Sequence, residues 1–584
     1  AEIKKPALLE VLPYTVGTSS YYPKTVFRER VAKFRPDVGA DIKYGVTSNF
    51  TLDLTVNPDF AQVEADPEVL NLTTFETFYP EKRPFFIEGT QILRFTTFGG
   101  DFGPGLFYSR RIGKAIAVEP PPGGVITDEP RSATILGAAK LTGKTQQGTS
   151  IGVLTALTNE EQFTFRDSLG TLHTQLAEPR ASYNLFRIKQ DFGGNSNVGA
   201  IITGVSRDTR SPAYASGADW NVYFDNSTYR LDGFFAHSQF LTTTDERREG
   251  NAGKAHFGKV SGNWLFDLST DFTSRKYFIN DMGFFFSPND YGANAGITYR
   301  ELEPGEIFRS YRISPSIQLR WNYDHLTLFQ VGELDAQVQL LNYWSINATV
   351  THSAPAKDPY EPFFYGAYNA PEKLTLRGEV QSDIRKSVIV DVAENITLDR
   401  DGQHTFNTGT TMIVRPVTSM EYQLTLNYNR ERHRTSFAKV ITDSVLTFAP
   451  SSPVALFGIR DIDHLDLTLR SSILFTHELS LQIYNQLFWA KGQYKNFSVL
   501  PPSGDLLPYT FSGNVDFNRT SLISNVVLRW EYREGSTFYF VWSHGRQFFQ
   551  RGGYGTDFAT NVDNTFLAAP DNVYVVKLSY WLNL

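Results

Sequence analysis

Apolar and polar side chains alternate residue by residue through segment after segment of this chain. That period of two restricts its folds more than any other feature. In Phe50–Val56 the even positions Phe50, Leu52, Leu54 and Val56 are apolar, and Thr51, Asp53 and Thr55 are polar. Over 420–428, Met420, Tyr422, Leu424, Leu426 and Tyr428 share one face, and Glu421, Gln423, Thr425 and Asn427 the other. Leu465, Leu467 and Leu469 alternate with His464, Asp466, Thr468 and Arg470. Leu522, Val526, Leu528, Trp530 and Tyr532 oppose Asn525, Arg529, Glu531 and Arg533, with Ser524 the one polar break. Successive side chains of a strand point to opposite faces, so each segment has one oily and one wet face.

A soluble sandwich or propeller also alternates. Three features point elsewhere. The segments run about 10–14 residues, where soluble strands average about 5–6. Aromatics cap the apolar faces, as Tyr422 and Tyr428 do, which is where interfacial girdles belong. The wet faces carry Arg, Asp, Glu and Asn, which a sandwich interior would reject and a hydrated lumen accepts. The chain has 584 residues, 41% hydrophobic and 14% aromatic, with a mean hydropathy of -0.28. No apolar run reaches the roughly 18 residues of a membrane-spanning helix. A barrel strand needs only about 9–11 residues with every second one apolar, so average hydropathy hides a barrel. The pattern therefore predicts an all-β fold, a transmembrane antiparallel β-barrel of about 24–26 strands, with a lumen or periplasmic-side constriction segment.

Short turns at 225–227, 261–263, 415–419, 476–478 and 533–536 alternate with long Pro/Gly/Ser/Asp-rich loops at 113–130, 159–178, 274–290, 353–372, 430–453, 491–515 and 548–571. Barrels of this class keep short turns in the periplasm and long loops outside. Two segments leave the strand count open, 10–18 and 84–95; each reads either as strand or as luminal chain. The expected organisation is an N-terminal strand or luminal segment over 1–37, then the barrel over 38–584, with 57–103 inserted as a constriction or plug. The final segment places Tyr574, Val576, Leu578, Tyr580, Leu582 and Leu584 on one apolar face. A terminal strand of this type resembles the signal that the outer-membrane barrel-assembly machinery recognises.

Alternation stops at Asn57. The run to Gly103 holds Asp59, Glu64, Asp66, Glu68, Glu76, Glu81 and Glu88 against Lys82 and Arg83, and prolines at 58, 67, 80 and 84 break any long ladder. Acidic and aromatic residues interleave, as suits a segment packed against a polar wall. Its acidic excess is expected to favour cations in a narrow passage. Next come Arg110 and Arg111. If strand, only one of them faces the lumen, where it would clamp the acidic segment by bidentate pairing.

LPYTVG at 12–17, DIKYGVTSNFTLDLTVNPDF at 41–60, the EKRPFF run from Glu81 and FYSRRIG at 107–113 together carry a resemblance. The chain resembles an uncharacterised Gram-negative envelope family, whose barrel-type domain of unknown function usually follows a family-9-like carbohydrate-binding domain. The resemblance implies location and fold and brings no activity with it.

Cysteine is absent, which excludes disulfides and thiolate metal sites. A net charge of -7 argues against nucleic acid. The opening AEIKKPALLE lacks a basic stretch followed by an apolar one, so a removed signal peptide or a missing upstream domain is expected. The ten histidines fall at no metal-ligand spacing. The phosphate-loop look of 137–145 fails on glycine spacing and on its strand-turn-strand context, and no G-x-S-x-G elbow occurs. Asp461, Asp463 and His464 are the nearest approach to a catalytic group, but adjacent strand residues diverge. DERRE at 245–249 reads as a solvated loop before it reads as a cation or lipopolysaccharide site. No catalytic residue, metal or cofactor is assigned. The leading function is a gated or partly plugged pore; the alternative is a non-transporting anchor or scaffold subunit of a cell-surface or envelope complex. The expected partners are outer-membrane lipid and lipopolysaccharide, the assembly machinery, and an envelope or surface protein. A TonB-type receptor, with its long N-terminal plug, fits less well.

Overall fold

The alternating segments pair into one closed antiparallel barrel of 24 strands. The structure, a computed structural model, describes residues 9–25, 28–60, 66–95, 98, 105–209, 211–242 and 246–583. Each wall strand pairs with its sequence neighbours, and the ring closes where Leu9–Tyr22 lies between Val31–Thr47 and Asp571–Ser579. Closure removes the open edges that a sheet would otherwise expose. Leu507–Pro508 and Leu582–Asn583 add short ladders without adding wall strands.

The register carries the apolar faces around the outside. Ile346 pairs with Val380, Val380 with Val392, Met412 with Leu424, and Leu424 with Leu469. Most of these side chains are exposed, as a lipid-facing belt must be. The opposite faces turn inward. Both described chain ends and the short turns, such as 48–49, 145–148, 193–195 and 534–535, lie at one end of the barrel. The long connections, including 57–134, 159–180, 274–289, 354–372, 500–516 and 552–570, lie at the other. At the short-turn end, Asp225, Asn226 and Ser227 take left-handed backbone angles. Asp and Asn are among the few residues with a side chain that tolerate this.

The two open segments resolve differently. Residues 10–18 fall within the strand Leu9–Tyr22. Residues 84–95 are not strand; they hold the short helices Pro84–Ile87 and Thr90–Leu93. Three expected loops also begin later than the alternation implied. Met420–Thr442 and Pro453–Leu474 stay paired up to Thr442 and Pro453, and Leu479–Val499 and Ser536–Arg551 likewise run past 491 and 548. The wall here rises above the belt and is covered on both faces. Ala455 and Phe457 are buried with Tyr368 and Leu500, whereas Val454 and Leu456 are buried with Val499 against Phe497 and Phe511. A strand covered on both sides shows a continuous apolar run instead of alternation. The 548–571 connection also contains a helix, Phe558–Leu567, capped by Asp557 accepting from the Thr560 N–H. It packs on the outer wall, with Phe558 against Trp489 and Asn518 donating to Asn561. Its apolar positions are too sparse to announce a helix. Residues 161–178, expected as loop, form a hairpin that Val125–Asp128 extends to three strands.

A closed sheet resists unfolding in mild detergent. Unheated protein is therefore expected to run ahead of boiled protein on a cold SDS gel. A single band position under both treatments would contradict the barrel.

Candidate functional site in the barrel lumen

The strand Phe50–Val56 ends at the long-loop end, and the next wall strand begins only at Ile135. The intervening chain turns into the lumen. The Asn57 carbonyl accepts from the Tyr14 hydroxyl (3.1 Å), and Lys577 Nζ donates to the Asp59 carbonyl (3.1 Å). On another sector of the wall, Gln486 exchanges two hydrogen bonds with the backbone of Glu68 (2.9 and 3.0 Å), and Arg519 pairs with the Glu68 carboxylate. The chain then descends. Glu88 meets Lys43 at 2.7 Å, close to the tight turn at 48–49. Lys140, fully buried, donates to the carbonyls of Phe85 and Glu88 (2.5 and 2.7 Å) and lies 3.3 Å from Asp53. Arg187 donates to the Arg94 carbonyl (3.1 Å) while holding Asp219 in a buried bidentate pair (2.7 and 2.6 Å).

Small residues on this side of the wall make room for the segment. A Cβ at Gly152 would lie 2.4 Å from Leu93, and one at Gly217 would lie 2.5 Å from Phe95. Leu93, Phe95, Leu106 and Ile112 sink among the inward faces of Ala138, Leu154, Ala215 and Ala236. The lumen is thus a packed core here, in which buried charges are satisfied by backbone carbonyls. The 274–289 loop folds in as well: the Tyr108 N–H donates to the Met282 carbonyl, and the Phe284 N–H to the Gly105 carbonyl.

The segment is also tied to itself. Glu81 accepts from the Arg83 side chain (2.9 and 2.7 Å), from the Arg83 N–H and from the Ser109 hydroxyl. Arg83 donates onward to the carbonyls of Ile112 and Ser109 and lies over the Phe86 ring at 4.3 Å. Burial would raise the Glu81 carboxyl, but these donors together outweigh it and hold its pKa below the usual glutamate value. The sign follows: the tie is intact at neutral pH and is lost as pH falls through the lowered pKa. Channel opening or loss of thermal stability is therefore expected only at pH below the usual glutamate range, and Glu81→Gln should remove that step from a conductance–pH profile.

Ser109–Arg111 is a single turn of 3-10 helix, so the strand rule that set Arg110 and Arg111 on opposite faces does not apply. Both reach the acidic run: one Arg110 nitrogen, Nη2, donates to both oxygens of Asp66, and Arg111 forks through two nitrogens onto both oxygens of Glu76 (2.8 and 2.7 Å). Lys82 approaches Asp66 at 3.7 Å. Every described carboxylate singled out in the acidic run thus has a cationic partner, which cancels most of the negative field its composition implies. Glu64 lies outside the described residues. In the terminal strand Tyr574, Val576 and Leu578, and beyond it Tyr580 and Leu582, are exposed; Leu584 lies outside the described residues. The wall residues that hold the segment, such as Lys140, Arg187, Gln486 and Lys577, were not singled out from sequence. Only Lys140 carries a signal, a long polar side chain on an inward face otherwise made of small residues, in GAAKLTG at 137–143.

The remaining sector differs. Among the described residues no hydrogen bond or ion pair joins 57–112 to the strands from Thr327–Leu340 through His404–Val417. Their inward faces are polar: Arg312, from the preceding strand, pairs with Asp335 (3.0 Å), Arg377 with Glu379 (3.1 Å), and Gln381 donates to Asp391. Arg312 and Arg377 side chains remain about half exposed, at 52% and 58%. Asp461, Asp463 and His464 do not converge: Asp463 takes Arg432 at 2.6 Å, Asp461 accepts from the His433 N–H, and His464 is buried against Phe488.

No curated protein matches the sequence. Among solved structures, the siderophore receptor PirA of Pseudomonas aeruginosa is 9% identical, with a TM-score of 0.46 over 99% of this chain and 81% of its own. The ferric enterobactin receptor PfeA of the same organism is 9% identical, with a TM-score of 0.41 over 98% and 81%. The alcaligin receptor FauA of Bordetella pertussis is 9% identical, with a TM-score of 0.31 over 99% and 77%. The family model described as a domain of unknown function, DUF5916, matches residues 5–584, and the chain belongs to that family.

Proposed function

We propose that the chain is an outer-membrane pore whose lumen is narrowed by the inward segment 57–112 and the loop 274–289, leaving a hydrated passage along the opposite wall. One observation carries this reading. The inserted chain is bonded and packed to one sector of the wall, whereas the strands from Thr327–Leu340 to His404–Val417 keep largely polar, partly exposed inward faces. A solid core would have filled both sectors, and a barrel of this size cannot be filled by wall side chains alone. The outer membrane is where closed barrels with an apolar outer belt, short turns at one end and long loops at the other reside. The mixed charges lining the passage support weak selectivity between cations and anions rather than the cation preference suggested by composition. Liposome swelling tests the reading: small sugars should enter vesicles carrying the protein, with a steep cut-off in size, and impermeability to every solute tried would sink it.

A second reading is favoured by the tall, two-sided extracellular wall around 430–499, which offers a rigid platform for an envelope or surface protein. Stoichiometric co-purification of such a partner, with no solute flux, would support it. Recognition of the terminal strand by the assembly machinery, and action beside a family-9-like carbohydrate-binding domain, belong to the same proposal.

A further inference from the structure

We propose that two copies of this chain associate within the membrane through the lipid-facing side of the strands Lys373–Gln381, Val388–Asp399 and His404–Val417, around Glu394. The register makes Glu394 an outward residue. Val388, Val390, Val392 and Leu398 are exposed on the lipid side of their strand, and Glu394 shares that face. Its partners across the ladders agree. Gly378 lies between the exposed Leu376 and Val380, and Thr408 follows the exposed Phe406 on the same face. The acidic residues nearest to it, Glu379 and Asp391, belong to the opposite, inward face. Glu394 is also central in depth. Its strand runs from the turn at 382–387 to the external turn at 400–403, and it is the seventh of the twelve residues between them.

Hydrocarbon offers a carboxyl group no hydrogen bond. The Thr408 hydroxyl donates to Glu394 Oε2 at 2.5 Å, and Oε1 has no hydrogen-bond or ion-pair partner among the described residues. Ionisable groups at this depth are costly and turn toward protein or water; in a single copy this one faces lipid. The surface beside it is low. Ala336, Ala348 and Gly378 continue the register row that runs through Glu394 to Thr408, and a Cβ added at Gly378 would meet no atom within 4 Å. Small side chains let two membrane-embedded surfaces approach closely. A second copy fits because the patch holds both halves of the missing bond. Thr410 lies on the adjacent strand opposite Val392, and its hydroxyl makes no hydrogen bond among the described residues. A two-fold axis along the membrane normal, passing between Glu394 and Thr410, sets each Oε1 against the other copy's Thr410 hydroxyl. Two-fold contacts are the commonest in oligomers and require a patch complementary to itself. The contact depends on the membrane setting and not on solute passage.

The chain has no cysteine, so a single introduced one reports alone. In intact outer membranes a short bismaleimide should join Val392→Cys chains into a band of twice the monomer mass. Val153→Cys, exposed on the lipid side of another sector, should stay monomeric. Sedimentation velocity of the purified full chain in mild detergent should show a dimer that dissociates on dilution. Glu394→Leu, which suits lipid better than the native residue does, should weaken that dimer at least about threefold. Gly378→Trp, which a single copy has room for, should leave only monomer that still shows the heat-dependent gel shift. Should Gly378→Trp fail to fold, the Glu394→Leu dilution series decides alone. A monomeric wild type with no cross-link beyond that of Val153→Cys would overturn the proposal. So would a Val392→Cys cross-link to a different protein, or a Glu394→Leu dimer as tight as the wild type. A dimer without flux would leave this contact standing and remove the pore, and flux through a monomer would do the reverse.

Discussion

Excising residues 58–112 and rejoining Asn57 to Gly113 through a short glycine-serine linker should raise single-channel conductance in planar bilayers at least about fivefold. Barrels of roughly 16–18 strands already enclose an aqueous channel, and this wall has 24. In the intact protein much of that cross-section is occupied by the inward chain and its packed contacts. The excision is geometrically gentle. The Asn57 N–H donates to the Leu136 carbonyl, and Gly113 lies against Ile135, so both cut ends flank the start of one wall strand. Several wall charges keep partners afterwards: Lys140 retains Asp53, and Arg187 retains Asp219. The 274–289 loop loses its bonds to Gly105 and Tyr108, so added open-channel noise is expected beside the larger current. Wild-type and excised proteins with the same conductance would remove the plug from the account.

The second large effect is on stability. Arg187→Ala should destabilise the folded barrel by about 3–5 kcal/mol in urea titrations, because it strands the Asp219 carboxylate where both partners are buried. It also removes the donor to the Arg94 carbonyl, loosening the plug from the wall. Replacing both partners, with Arg187→Met and Asp219→Leu, should recover at least about half of the loss, since neither leaves an unpaired buried charge. If the single and double changes cost the same, the pair is not acting as a pair. The double variant should still show raised conductance, because the Arg94 contact is absent in both. That separates the two roles of Arg187.

How far the sequence could be read depended on how many environments each strand met. Where lipid lay on one side and polar partners on the other, as in Phe50–Val56, a single residue carried its own orientation, and the wall could be drawn from alternation. Where both faces met protein, as at Phe437 on one side and Ala438 and Ile441 on the other, the same backbone lost its period and passed for loop. Arg110 and Arg111 were legible as clamps for the acidic run but not as a pair acting together. Their shared direction comes from one turn of 3-10 helix, which the neighbouring strands do not foreshadow.

By itself, then, the sequence determined a closed antiparallel sheet with an apolar outside, because the choice between lipid and water is made locally at each residue. Only the tertiary structure decided what fills that sheet. The route of 57–112, the neutralisation of its carboxylates and the sector left open all depend on side chains hundreds of residues apart, such as Glu68 with Gln486 and Asp59 with Lys577. Composition can count the charges in such pairs, but their fields cancel only once the closed wall has brought the partners within reach.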